Sequence, residues 1–125
     1  MPPIPEPLAF DPSEWRGRNA LLLVFAPSPK SPAYEQQIDL VQGAEAGFRA
    51  RDLVLVQILL EGESYVNDQR MEQSSARRLR EQFGVEDESF CVVLLDRDGD
   101  ERRKTDTPLK AEALFAVLDG SAPDA

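Results

Sequence analysis

Residues Ala20 to Ala26 read ALLLVFA, seven apolar residues in succession with no polar alternation. A run of that length suits a strand. A strand that is apolar on both sides belongs inside a sheet covered by helices on its two faces. Leu53 to Leu60 (LVLVQILL), apolar except for Gln57, and Phe90 to Leu95 (FCVVLL) are built in much the same way. Three doubly buried strands in a 125-residue chain leave room for one α/β domain and little else.

The segments between these strands read as helices. Pro27, Pro29 and Pro32 end the first run, because proline cannot donate to a strand ladder. Ser31 stands where an N-cap belongs, with Pro32 at the first helical position, where its missing N–H costs nothing. The pattern predicts one long helix from Pro32 to about Arg51, with Tyr34, Ile38, Val41 and Phe48 as its apolar stripe. Glu35 in the first turn and Arg49 and Arg51 in the last suit the helix dipole. Strand, helix and strand make a right-handed βαβ unit.

Glu61 to Met71 is polar, with Gly62 and Asn67-Asp68 as turn signals. A second helix is expected from Gln73 to Phe83, its inner face carrying Ala76, Leu79 and Phe83, with Gly84 closing it. Asp98-Gly99 predicts a tight hairpin after the third strand, and the charged return, Glu101 to Thr105, suits an exposed edge. Thr107-Pro108 predicts the start of a third helix running to Asp119, with Ala111, Leu114, Phe115 and Leu118 inward and Gly120 at its end.

The resulting order is β-α-β-α-β-β-α, which is that of the thioredoxin fold: a mixed four-stranded sheet of order 2-1-3-4 flanked by helices. A flavodoxin-like sheet would need more parallel strands and no terminal hairpin. We expect residues 1–12 to be a flexible Pro-rich lead, since four prolines fall in the first seven residues, 13–120 to be the domain, and 121–125 to be a tail. Phe10 and Trp15 are expected to cover one end of the core.

The residues also resemble a family. Trp15, Arg18, the run LLLVFAPS (Leu21 to Ser28), Pro32, Tyr34, Gln37, RDLVLV (Arg51 to Val56), LREQFGV (Leu79 to Val85) and FCVVLLDRDG (Phe90 to Gly99) are similar to the uncharacterised thioredoxin-like, peroxiredoxin-like domain-of-unknown-function family 4174. That family also occurs within sushi-repeat extracellular matrix proteins. The resemblance covers about residues 13 to 120 and implies the thioredoxin-like fold. It carries over no catalytic residue. The acidic stretch Glu86 to Ser89 departs from the Pro or Gly that many members place before the third strand.

Several chemistries are excluded by what is missing. The chain has no histidine, which removes Ser-His-Asp and Cys-His nucleophile systems and His-ligated metals. One cysteine, Cys91, cannot form an internal disulfide or run dithiol exchange within the chain. Thioredoxins place Cys-x-x-Cys where their first long helix opens, so that the helix terminus lowers the thiol pKa. Here that place reads Pro27-Ser28-Pro29-Lys30-Ser31-Pro32, without a thiol. The cis-proline that faces that site in thioredoxins has no counterpart before Phe90.

Cys91 lies amid Phe90, Val92 and Val93, where a thiol is a core residue. The alternative reading, a single-thiol peroxiredoxin-like oxidoreductase, requires it to face solvent. Ser28, Lys30 and Ser31 form a weak anion-site hypothesis at the helix start, set against an ordinary N-cap with a solvated lysine. Asp96, Asp98 and Asp100 invite a calcium reading, but Gly99 is misplaced for an EF-hand and the hairpin explains them.

A net charge of −9 disfavours nucleic acid and anionic lipid, and the clusters Arg77, Arg78, Arg80 and Arg102, Arg103, Lys104 lie among acids as solvated faces. No stretch approaches the ~20 apolar residues that span a bilayer. The opening MPPIPEPLAF has neither the basic nor the apolar region of a signal peptide, and with one cysteine a cytoplasmic location is expected. The leading expectation is a soluble, non-catalytic interaction or ligand-binding domain with no cofactor. Its partner would be a protein, a small anion or, through a sheet edge or helix face, a second copy.

Overall fold

The computed structural model describes residues 6–120. After a single 3-10 turn at Pro12–Trp15 the chain forms β1 (Ala20–Ala26), α1 (Pro32–Gln42), α2 (Glu45–Ala50), β2 (Leu53–Leu59), β3 (Ser64–Val66) and β4 (Gln69–Met71). It continues through α3 (Gln73–Gln82), β5 (Cys91–Leu95), β6 (Glu101–Thr105) and α4 (Ala111–Leu118). One mixed sheet results, in the order β4-β3-β2-β1-β5-β6. β1 is buried along its whole length and lies between parallel β2 and antiparallel β5.

The four-stranded sheet expected from the sequence is therefore corrected to six strands. The expected strands keep their relative order as β2-β1-β5-β6, and the β3–β4 hairpin extends the sheet beyond β2. Strands of three residues are too short and too polar to show an alternation. Only their turn was legible. Asn67 takes a left-handed backbone (φ 53), its N–H donates to the Leu55 carbonyl at 2.7 Å, and its Oδ1 accepts the Leu55 N–H at 3.1 Å. The turn thus supplies both hydrogen bonds that the Leu55 backbone would otherwise lack.

Alternation of side chains gives the sheet two cores. Leu21, Leu23, Phe25, Val54, Val56, Ile58, Cys91, Val93 and Leu95 face α3 and the N-terminal segment. Leu22, Val24, Leu53, Leu59, Val92 and Leu94 face Tyr34, Val41 and Phe48 of α1 and α2 and Leu114 and Val117 of α4. Both faces are covered, as the apolar runs require.

Three helix boundaries differ from the sequence reading. The single long helix is two: α1 ends at Gly43, which ranks low in helix propensity, and α2 restarts at Glu45. In α2, Gly47 lies so near α4 that an added Cβ would come within 2.5 Å of the Phe115 ring. Ser31 occupies the N-cap position with Pro32 after it, but its side chain makes no capping bond. The third helix begins at Ala111, with Lys110 at its N-cap, rather than at Thr107-Pro108. The cause is Gln37. This fully buried α1 side chain donates from Nε2 to the Leu109 carbonyl (3.0 Å) and accepts the Leu109 N–H on Oε1 (2.7 Å). Both polar groups of Leu109 are thereby withdrawn from any helix.

Residues 1–5 and 121–125, part of the expected lead and all of the expected tail, lie outside the described residues. Packing begins ahead of Ser13. Leu8 forms a parallel bridge to Met71, and buried Phe10 donates its N–H to Ser75 Oγ at 3.0 Å. The Phe10 and Trp15 rings lie 5.7 Å apart against the α3-side core.

Replacing Gln37 with Ala strands a buried N–H and a buried C=O on Leu109. The expected cost is about 3 kcal/mol of folding free energy, read as a lowered urea midpoint at unchanged slope.

Candidate functional site

In this fold the end of β1 and the start of α1 form one corner. Here that corner is the loop Pro27 to Ser31, tied to the end of β2 by the Leu60 N–H on the Ala26 carbonyl (3.2 Å) and the Glu61 N–H on the Pro27 carbonyl (2.9 Å). Ser28 Oγ accepts the Lys30 N–H at 3.2 Å, and the Ser31 N–H donates to the Ser28 carbonyl at 3.2 Å. The three residues of the anion hypothesis thus share one turn. Ser28 and Ser31 are half-buried and Lys30 is exposed. The Ser28 oxygen serves the turn itself, and Glu35 adds a negative charge to the first turn of α1.

Cys91 is 8% exposed and sits opposite Phe25 in the β1–β5 register, on the sheet face covered by α3. Tyr34 of α1 packs on the other face. The sheet therefore separates the lone thiol from the helix end where a redox cysteine would stand. Burial pushes the Cys91 thiol up, Lys104 partly offsets this, and the charges of Glu101 and Asp106 add to the rise. That environment favours the neutral, unreactive thiol. The described residues contain no cis peptide bond, and half-buried Phe90, packed toward the α1 side, precedes β5.

Near the same helix end, the Tyr34 hydroxyl donates to Gln57 Oε1 of β2. Burial raises the Tyr34 phenol, as does its neighbour Tyr65, so it remains a neutral donor. At the opposite end of the sheet, carboxylate oxygens of Asp96, Asp98 and Asp100 lie within 4.8 Å of one another. Asp96 Oδ1 accepts the N–H groups of Asp98 and Asp100, each at 3.0 Å, and its Oδ2 accepts from Arg102 at 3.4 Å. Gly99 takes φ 85 between them. These carboxylates are parts of the hairpin, as the Asp-Gly signal predicts.

The sequence reading missed a pair of adjoining clefts along α3. The larger, about 580 Å³, runs between Leu60 and the segment Gly84 to Asp87. The smaller, about 190 Å³, lies between the β2–β3 turn and the first turns of α3. Leu60, Arg77 and Arg80 line both. At 37% exposure, Leu60 is the most exposed large apolar side chain among the described residues. Nothing in the sequence distinguishes Arg77 and Arg80 from a solvated helix face, because the opposite wall of the smaller cleft comes from the end of β2 and the β2–β3 turn.

No helix among the described residues is long and apolar enough to cross a membrane. The family model described as "Domain of unknown function (DUF4174)" matches residues 11–122. Among curated proteins, the chain is 28% identical over 105 residues to the sushi repeat-containing protein SRPX2 of Rattus norvegicus, and 29% identical over 105 residues to that of Homo sapiens. Each match covers 82% of this chain but only 22% and 23% of the relative. Among solved structures, a reduced 2-Cys peroxiredoxin of Plasmodium vivax superposes with a TM-score of 0.62 at 14% identity, over 86% of this chain and 80% of that one. The pneumococcal exposed lipoprotein thioredoxin Etrx1 of Streptococcus pneumoniae gives 0.57 at 16% identity, over 87% and 89%. At such identities these likenesses establish the thioredoxin-like fold.

The raised Cys91 thiol has a consequence for stability. The unfolded chain loses this proton near its ordinary pKa while the native state retains it, so stability falls as pH rises above that value, until the native thiol also ionises. Between about pH 8 and pH 10 the urea midpoint of the natural chain should fall more steeply than that of Cys91→Ala. Thiol labelling of the native protein should be slow, and fast once denaturant is added.

Proposed function

The chain belongs to the DUF4174 family, and from that premise we propose that it is a non-catalytic thioredoxin-like domain that binds a ligand or partner instead of turning over thiols. One observation carries the reading. The corner that would hold the redox pair contains Ser28, Lys30, Ser31 and Pro32, while the single thiol is buried on the far face of the sheet. Serine would need a general base to act as a nucleophile, and the chain has no histidine to be one.

The relatives support the same reading in a different way. The matched segment makes up under a quarter of the sushi repeat-containing proteins, where it stands as one part of a larger whole. A recurring module without reacting groups suits recognition, which needs only a surface and a stable scaffold.

The purified chain should reduce insulin disulfides and consume hydrogen peroxide no faster than buffer containing the same dithiothreitol, and Cys91→Ser should change neither rate. Peroxide turnover that disappears in Cys91→Ser would replace this reading with a single-thiol peroxidase.

A further inference from the structure

We propose that the smaller α3 cleft binds the carboxylate of an amphipathic organic acid, with Arg77 and Arg80 receiving the head group and Leu60 the apolar part. The proposal rests on the reading of the chain as a binding domain and names its ligand. Arg77 and Arg80 stand three residues apart on α3, hence side by side on one face. They are the sole charged residues lining the smaller cleft, together with polar Gln73 and Ser64. In a chain of net charge −9, that is a local reversal of sign.

The two guanidinium groups have donors to spare. Arg77 is exposed and has no hydrogen-bond or ion-pair partner among the described residues. The Arg80 side chain is only 14% exposed, yet its contacts are long: 3.5 Å to the Leu59 carbonyl and 3.6 Å to Asp87. A guanidinium carries five N–H donors in a planar fork, which matches a carboxylate in shape and charge. A carboxylate at ordinary hydrogen-bond distance would satisfy what these long contacts leave open.

Charge also fixes the direction of the ligand. The larger cleft shares Arg77 and Arg80 but adds Glu81, Glu86 and Asp87, so its lining holds more acids than bases and disfavours an anion. The head group therefore belongs in the smaller cleft, and the tail crosses Leu60 toward Val85. About 190 Å³ accommodates a carboxylate and its first few carbons, and the adjoining space takes the rest. This head-and-tail chemistry is offered both by the C-terminal residue of a peptide with an apolar side chain and by a free aliphatic acid.

The test is a titration of the isotope-labelled full chain, followed by the amide resonances of Leu60, Arg77, Arg80 and Val85. The probes are N-acetyl-leucine, octanoate and, as an uncharged control, N-acetyl-leucinamide. Saturable shifts with at least one acid and none with the amide are expected. N-acetyl-leucine alone would point to a peptide terminus, octanoate alone to a free acid, and both to the shared chemistry. Arg77→Gln should weaken binding about tenfold, with the fold retained because the exposed Arg77 side chain has no hydrogen-bond or ion-pair partner among the described residues. Absence of saturable shifts with both acids at tens of millimolar, equal shifts with the amide, or unchanged affinity in Arg77→Gln would each overturn the proposal. A failure here leaves the redox-inert reading untouched, whereas thiol turnover would sink that reading without altering these shifts.

Discussion

The structure depends on β1 being apolar on both faces. A strand of seven buried residues satisfies its backbone groups only through neighbours, and it receives them from β2 on one side and β5 on the other. Its side chains then require two separate coverings, which are α3 with the N-terminal segment and the α1, α2 and α4 layer. The second consequence is spatial. Residues one position apart in a strand face opposite layers, so Cys91 and Val92 enter different cores although they are adjacent in sequence. That parity, rather than distance along the chain, keeps the thiol away from the start of α1.

What could be read from the sequence follows the same logic. Long apolar runs, broken in β2 by Gln57 alone, identified β1, β2 and β5 and their central places, and Asp98-Gly99 located the β5–β6 hairpin. Features set by tertiary contact were not legible. The β3–β4 hairpin is held by Asn67 on the Leu55 backbone, and nothing within residues 64–71 announces that partner. The start of α4 is decided by Gln37, 72 residues away from Leu109, so local cap chemistry at Thr107-Pro108 misplaced it. The emptied redox corner was visible because absent cysteines and histidines can be counted. The α3 clefts were not, since a cleft is made by two elements and Arg77 and Arg80 belong to only one.

The lone thiol of this scaffold is placed for packing rather than for exposure. A reactive thiolate needs an exposed position at a positive helix end, and that exposure costs packing. Here the equivalent loop is bound to β2 through Ala26 and Pro27, and the one sulfhydryl contributes apolar volume to the core. Some charged groups form structural pairs, as at Arg51 with Asp119 and Arg97 with Asp52. Arg51 also lies 4.0 Å over the Phe115 ring, so it packs as well as pairs.

The bridge from Leu8 to Met71 bears on how this sheet ends. An open edge offers unpaired donors and acceptors to any other extended chain. At one margin, β6 discourages such contact with Arg102, Arg103 and Lys104. At the other, Leu8 donates its N–H to the Arg70 carbonyl and accepts the Glu72 N–H, as the stub of a seventh strand. The segment at Leu8 therefore covers part of the β4 edge that another molecule could otherwise pair with. Trimming it away would convert a finished border into an adhesive one.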